Sequence, residues 1–313
     1  MRALITGIYG QDARYLSEFL IENGYEVIGT RRGNERLGVE AAGVEVVSGD
    51  VSDPLRMHEI VEEYMPDDIY NLAAVTHVGD SFSAIASAFA INAVGAANCL
   101  AAAAKAGCKV YQASTSELFG ATPPPQSEMS LMRPRSPYAC AKLAAYWLTK
   151  NYRERGVYAA QGILFNHESP LRGDGFVTQK IVKAAVRIKH GLQRNLILGN
   201  LNAERDWGHA KDYVRAMWMI MQQPFADDYV VATGEMRSVR NVCEIVFSHL
   251  GMDYEDYVVE SNEFKRPLEV ESLCGDASKI RSIGWKPEIS FEEMMVEMCE
   301  EADWSIKRDK YDV

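Results

Sequence analysis

The chain has 313 residues, 47% of them hydrophobic, with 33 Lys and Arg against 44 Asp and Glu for a formal net charge of −11. That length supports one large or two coupled domains around a sizeable core. The acidic balance argues against nucleic acid or an anionic membrane as a main partner, because both reward clustered Lys and Arg. No run of 18 apolar residues stands out and the start, MRALITG, lacks a signal-peptide layout, so a soluble cytoplasmic protein is expected. Cys99, Cys108, Cys140, Cys243, Cys274 and Cys299 show neither a CxxC nor a metal-ligand spacing with histidine, which points to reduced thiols and no metal.

Taken in chain order, RALITG (2–7) is a short apolar run that reaches a glycine turn. Leu16, Phe19 and Leu20 then recur at helical spacing until Asn23-Gly24 stops the helix. EVIGT (26–30), VEVVSGD (44–50), DIYNLAA (68–74) and KVYQAS (109–114) read as further strands. A helix near 54–65 and a long Ala-rich helix ending about residue 106 separate them. The alternation predicts an α/β fold with a doubly wound parallel sheet of the Rossmann type. Beyond FNHESP (165–170) the pattern loosens into a helix near 176–191, a strand at LILG and a helix from Ala210. YVVATG (229–234) resembles a late sheet strand, followed by helices at 238–250 and from Ser290. A dinucleotide-binding part over 1–165 and a smaller, interleaved substrate part over 166–313 are therefore expected.

GIYGQDARYL sets Gly7, Gly10 and Ala13 between the first strand and its helix. Gly7 and Gly10 would let backbone amides approach a pyrophosphate at a helix N-terminus, although G-x-x-G-x-x-A is not the full dinucleotide fingerprint. After the second strand an NAD site would offer an acid to the ribose, but this chain has Thr30, Arg31 and Arg32 and no acid before Glu35. Two guanidiniums suit a 2′-phosphate, so NADP is the expected cofactor; solvated surface arginines are the plain alternative. Asp50 would meet the adenine, and Leu72, Ala73 and Ala74 would pass beneath the cofactor.

YQASTSELFG carries Thr115 and Glu117, which alternation along a strand would turn to one face, with Ser114 and Ser116 on the other. In SPYACAK, Ser136 can cap a helix that opens with Pro137 and sets Tyr138 and Lys142 four residues apart on one face. A lysine ammonium and a cationic nicotinamide would lower the phenol of Tyr138 towards working pH. Thr, Tyr and Lys suffice to oxidise a hydroxyl carbon; Glu117 is surplus to that task. Once C4 of a hexose is a ketone, the C5 hydrogen is acidic. A carboxylate can take it and pass a proton to O6, which leaves as water before hydride returns to C6. The plain alternative for Glu117 is a carboxylate held in a salt bridge.

The segments YQASTSELFG, RSPYACAKL, GILFNHESPLRG, RDWGHAKDYV, RPLEVE and IGWKPEIS together make the chain similar, nearly end to end, to the GDP-mannose 4,6-dehydratases of the extended short-chain dehydrogenase/reductase family. TSE with YxxxK marks sugar-nucleotide dehydratases in general; FNHESP and RDWGHAKDYV are more specific. The resemblance implies NADP-dependent dehydration of GDP-D-mannose to GDP-4-dehydro-6-deoxy-D-mannose, with Thr115, Glu117, Tyr138 and Lys142 carrying the chemistry. It implies NADP contacts from Gly7, Ile8, Gly10, Gln11, Asp12, Arg32, Asp50, Val51, Leu72, Ala73, His167 and Arg172. Ser81, Asn166, Val177, Lys180, Asn200, Arg205, Arg266 and Glu269 would face the GDP-sugar. Lys180, Arg205 and Arg266 also make sense as cations for its diphosphate. His167 and His209 read as packing or hydrogen-bonding histidines rather than proton-transfer groups, and Trp207 and Trp218 as core.

Tyr9 and Ala13 depart from the family turn GITGQDG, and Gln179 stands where FVTRK has arginine. A shortened GNERLGVEAAG replaces the longer loop that helps build the family's tetramer, so a homodimer on the helices at 80–106 and 137–155, or a homotetramer, is expected. Other readings are a dehydratase of a related GDP-sugar such as a GDP-manno-heptose, a GDP-4-keto-6-deoxymannose reductase, which needs no Glu117, and a catalytically silent NADP-binding regulator.

Overall fold

The computed structural model describes residues 1–33, 42–261, 268 and 270–311. Arg266, Glu269 and most of the shortened loop after Arg32 lie outside them. The strands are β1 (Arg2–Thr6), β2 (Glu26–Arg31), β3 (Val44–Ser48), β4 (Asp68–Asn71), β5 (Lys109–Ala113), β6 (Ala159–Leu164) and β7 (Asn166–Glu168). They continue as β8 (Leu196–Leu198), β9 (Glu204–His209), β10 (Asp228–Val231), β11 (Met236–Ser238), β12 (Val258–Glu260) and β13 (Ser272–Leu273). The helices are α1 (Gln11–Glu22), α2 (Pro54–Tyr64), α3 (Ile85–Phe89), α4 (Gly95–Ala106) and α5 (Pro137–Glu154), then α6 (Val177–Lys189), α7 (Ala210–Met221), α8 (Val239–His249), α9 (Ser278–Ser282) and α10 (Phe291–Tyr311).

Among the described residues, β10-β6-β5-β4-β1-β2-β3 form a seven-stranded, wholly parallel sheet. Strand order reverses between β1 and β4, and ligands of open α/β sheets settle in the crevice at such a switch point. Leu16, Leu20, Val214 and Met217 of α1 and α7 cover one face, while Met57, Ile60, Leu100 and Ala103 of α2 and α4 cover the other. With both faces buried, continuous apolar strands are the stable choice. A second core joins α6, α8 and α10 through Ile181, Val182, Val242, Val246, Met294 and Met298. β9 pairs with β7, β11 and β13 beside it.

Local rules explain the boundaries. Asp53 accepts hydrogen bonds from Leu55 and Arg56 N–H ahead of α2, with Pro54 in its first turn. Ser238 and Asn241 close a reciprocal capping box on α8. The Ala-rich helix is composite: α3 passes through a π-turn at Ala90–Val94 into α4, which stops at Gly107 in the left-handed region (φ 77°). This corrects the expectation of no long apolar run. Ile85–Ala106 is 22 residues long with mean hydropathy 1.6, long and apolar enough to cross a membrane, and 44% of that window is buried within the protein. All six cysteines are free.

Asp68, at the foot of β4, is buried, and loss of solvent pushes its carboxyl up to about 6 against the pull of Lys109. A carboxyl raised in the folded state favours folding below its unfolded value of about 4, and that contribution is lost as pH climbs through about 6. Asp68→Asn is therefore expected to stabilise the protein by up to about 3 kcal/mol at pH ~8 and to change little at pH ~4. Urea titrations at the two pH values check this; an equal change at both would refute the burial argument.

Candidate active site

Gly7 takes φ 74° as the chain leaves β1, and a Cβ there would stand 2.9 Å from Ala73 Cα beyond β4. Only glycine fits this close approach at the switch point. Gly10 precedes α1, whose first turn has no side-chain cap, leaving its N–H groups directed outward. Arg31 ends β2, half-buried, with Arg32 exposed beyond it. Asp50 follows β3 and accepts from the Ser52 amide and hydroxyl. Gly7, Ile8, Gly10, Arg31, Arg32, Asp50, Val51 and Ala73 thus gather at the carboxyl ends of β1 to β4, outside the main cavity lining.

That cavity, about 510 Å³, opens where β4 and β5 face β7, β9 and α6. Thr115, Glu117, Tyr138, Lys142, Asp12, Leu72, Ala74, His167 and Arg172 all line it, as do Asn166, Val177, Lys180, Asn200 and Arg205. A second cavity of the same volume lies behind Pro170 and Leu171, between α1, α6 and α10, and holds none of the expected site residues.

Ser136 caps α5 as expected, its Oγ accepting from Ala139 N–H at 3.1 Å. Lys142 Nζ donates to Ala113 O at 3.0 Å, and burial lowers its ammonium to about 8, opposed by Asp12. The expected ionisation of Tyr138 counts on a cationic nicotinamide as well as Lys142. Burial pushes its phenol up to about 12, and the Thr115 hydroxyl beside it offsets this only in part. In the protein alone desolvation outweighs the neighbours, so the phenolate requires further positive charge in the site.

Glu117 also arrives by a route other than the expected one. β5 ends at Ala113; Thr115 then starts a 3₁₀ turn (Ser116–Leu118), its Oγ1 accepting from Glu117 N–H at 3.3 Å. A turn, not strand alternation, brings Thr115 and Glu117 to the cavity, and Ser114 and Ser116 line it too. Among the described residues, the buried carboxylate of Glu117 makes no ion pair. Among those residues the salt-bridge alternative for it finds no partner.

His167 holds a structural pair with Asp12, Nε2 to Oδ2 at 2.8 Å, while Nδ1 faces Phe165 O at 2.8 Å. Burial disfavours both charges, yet each partner sustains the other: the acid of Asp12 is lowered and the imidazole of His167 raised. Gln11 joins the same link, donating to His167 O and accepting from Ser169 Oγ. Arg172 pairs with Glu168 at 3.0 Å and lies over the Phe176 ring. Lys180 Nζ donates to Ile197 O, and buried Arg205 donates to Glu204 O and Glu271 O.

Ser81 departs from its expected role. It is fully buried and outside the lining; its hydroxyl donates to Val78 O and accepts from Tyr138 N–H at 3.2 Å. It seats the start of α5 rather than facing a ligand. His209 caps α7 through Lys211 N–H and pairs with Glu297, in keeping with a hydrogen-bonding histidine. Trp207 is buried, stacks on Phe291 and also lines the cavity. The sequence reading missed His77, a wall residue just past β4; its only signal was a polar side chain beyond the carboxyl end of a sheet strand.

Solved structures share this architecture. A UDP-glucose 4-epimerase of Thermus thermophilus in complex with NAD matches with a TM-score of 0.86 at 23% identity, covering 96% of this chain and 99% of that one. DesIV, a dTDP-glucose 4,6-dehydratase of Streptomyces venezuelae with NAD and TYD bound, gives 0.86 at 23% identity over 99% and 98%. The fold is that of the extended short-chain dehydrogenase/reductases. Within that class, the family described as GDP-mannose 4,6 dehydratase matches residues 4–298. GDP-mannose 4,6 dehydratase 1 of Arabidopsis thaliana is 46% identical, covering 98% of this chain and 91% of that protein. A GDP-mannose 4,6-dehydratase of Vibrio cholerae is 42% identical over 96% and 93%. This chain belongs to the GDP-mannose 4,6-dehydratase family.

Proposed function

We propose that the protein is a hydro-lyase that converts GDP-D-mannose to GDP-4-dehydro-6-deoxy-D-mannose with NADP. The observation that carries the reading is Glu117, a carboxylate without an ion partner among the described residues, in one cavity with Thr115, Tyr138 and Lys142. The dinucleotide fits the other end: the cleft at Gly7 and Ala73 excludes any side chain, and the uncapped α1 N-terminus suits a pyrophosphate. Gly7, Ile8, Gly10, Gln11, Asp12, Arg31, Arg32, Asp50, Val51, Leu72, Ala73, Ala74, His167 and Arg172 would hold it, with Tyr138 and Lys142 at its reacting end. When bound, NADP supplies the oxidant for C4, the reductant for C6 and a cationic ring that favours the Tyr138 phenolate.

Tyr138 accepts the C4 hydroxyl proton, Thr115 hydrogen-bonds the same oxygen, and Lys142, anchored on Ala113 O, stabilises the phenolate. Glu117 removes the C5 proton, acidified by the C4 carbonyl, and protonates O6 as it leaves. Val177, Lys180, Asn200 and Arg205 present an amide-bearing helix start, a polar group and two cations to the GDP moiety, with Asn166 nearer the sugar. Incubation with GDP-mannose and substoichiometric NADP should yield a 4-keto product lighter by one water. No product, or product only from another GDP-sugar, would overturn the assignment.

Arg31 and Arg32 support NADP over NAD. Replacing both with alanine should weaken NADP by roughly ten- to a hundred-fold more than NAD, the worth of one bidentate charged contact. Titration of both cofactors decides it, and equal affinities in the parent protein would refute the preference. We also propose a homodimer: Ile85, Phe89 and Val94 on the composite helix and Trp147 on the adjoining α5 leave apolar surface exposed.

A further inference from the structure

The rim of the cavity is crossed by a side chain that the reaction above does not use. His77 stands past β4, lines the cavity, and keeps its side chain 38% exposed, which places it at the solvent-facing edge. Its Nε2 lies 3.2 Å from the carbonyl of Gly175 on the facing wall, 98 residues along the chain. A carbonyl oxygen only accepts, so Nε2 carries the proton. That holds in either charge state. In the neutral ring Nδ1 accepts from Asp80 N–H at 3.3 Å; in the cation Nδ1–H pairs with Asp80 Oδ1 at 2.9 Å.

Packing supports the same contact. The His77 ring packs against Phe176 in a T-shaped contact, with centroids 6.0 Å apart, and the guanidinium of Arg172 lies over the Phe176 ring. Gly79 makes room: a Cβ there would stand 3.2 Å from the ring, tighter than an ordinary contact. Phe176 is the residue from which α6 starts, and α6 sends Val177 and Lys180 into the cavity. His77 therefore ties the loop after β4 directly to the wall that would hold the nucleotide.

We infer that His77 is a clasp, a positioning residue that keeps the two walls together over the sugar until the reaction sequence is complete. The inference rests on the proposed dehydration, which passes through two free-standing ketones: the 4-keto sugar and, after loss of H5 and the O6 hydroxyl as water, the 4-keto-5,6-ene. Either is lost if the walls part early. A lost intermediate has given a hydride from C4 to NADP and a proton from O4 to Tyr138, and takes neither back. Each leak therefore leaves one reduced cofactor and a stalled site.

Glutamine can place an amide N–H where Nε2 sits, whereas asparagine reaches only the Nδ1 position. Two measurements separate the variants. Release of GDP from protein without NADP should quicken about three- to ten-fold in His77→Ala and His77→Asn, and stay within about two-fold in His77→Gln. With GDP-mannose and NADP, the Ala and Asn variants should accumulate reduced nicotinamide in step with free keto-sugar, while Gln turns over like the parent. Parent-like GDP release and no leakage in His77→Ala would overturn the clasp, as would identical behaviour of Gln and Ala. If the parent itself leaves GDP-mannose unchanged, the dehydration reading fails, and the GDP-release series still decides whether His77 joins the walls.

Discussion

Glu117→Gln is expected to slow formation of the 4-keto-6-deoxy product by on the order of 10²–10⁴-fold, the usual loss for a positioned general base. Glutamine matches the size of the carboxylate but cannot take the C5 proton. Oxidation at C4 depends on Tyr138, Thr115 and Lys142 and should survive better. Mixing the variant with GDP-mannose should thus generate reduced-nicotinamide fluorescence that fades slowly, and exchange of the C5 hydrogen with solvent deuterium should fall in step with turnover. Tyr138→Phe should abolish the fluorescence itself. Parent-like C5 exchange in Glu117→Gln would reduce Glu117 to a structural carboxylate and remove the main mechanistic support for dehydration.

Asp206→Ala should bring the largest loss of stability, roughly 3–5 kcal/mol. This carboxylate is fully buried on β9; Oδ1 accepts from Thr233 N–H and its hydroxyl, and Oδ2 from the amides of Gly234 and Gly275. Burial raises its pKa, and the four donors work against that rise. Alanine would strand three backbone N–H groups, each costing about 1–3 kcal/mol when left unpaired. Because Arg205 and Trp207 flank it in the cavity, the KM for GDP-mannose should rise well before the fold is lost. Urea unfolding measures the first effect and steady-state kinetics below the melting range the second. A loss under about 1 kcal/mol would mean that water replaces the carboxylate.

The first half of the chain was legible because its strands are short apolar runs whose ends meet strong punctuation: the glycine turn after β1, Asn23-Gly24 after α1, Asp53-Pro54 before α2. β6 escaped notice. AAQGIL opens on Ala, Ala, Gln and Gly, which carry little strand preference, and what makes it a strand is tertiary: Gly162 leaves room for the Tyr111 hydroxyl, so a side chain there would collide. Of the four proposed catalytic residues, Tyr138 and Lys142 were legible because Ser136-Pro137 and the YxxxK spacing are local helix signals, and Thr115 and Glu117 because they follow a sheet strand. The geometry of the second pair was not legible, since alternation on a strand and a 3₁₀ turn bring Thr115 and Glu117 to the same side. Ser81 was misplaced for a related reason: a serine cannot announce whether its hydroxyl serves a ligand or the neighbouring helix.

The late return of β10 to the sheet bears on how far the chain can be divided. Asp228, on that strand, is buried and accepts from Tyr146, Arg153 and Gln161, all contributed before residue 165, and pairs with Lys150 as well. A fragment cut at 165 would expose the edge of β6 as an unpaired template and leave a tyrosine, a glutamine and two cations surrounding an anion that is no longer there. The sheet begun by the first 165 residues is thus finished only after nearly half of the remaining chain has been synthesised, and the two parts have to be inherited, expressed and recombined as one piece.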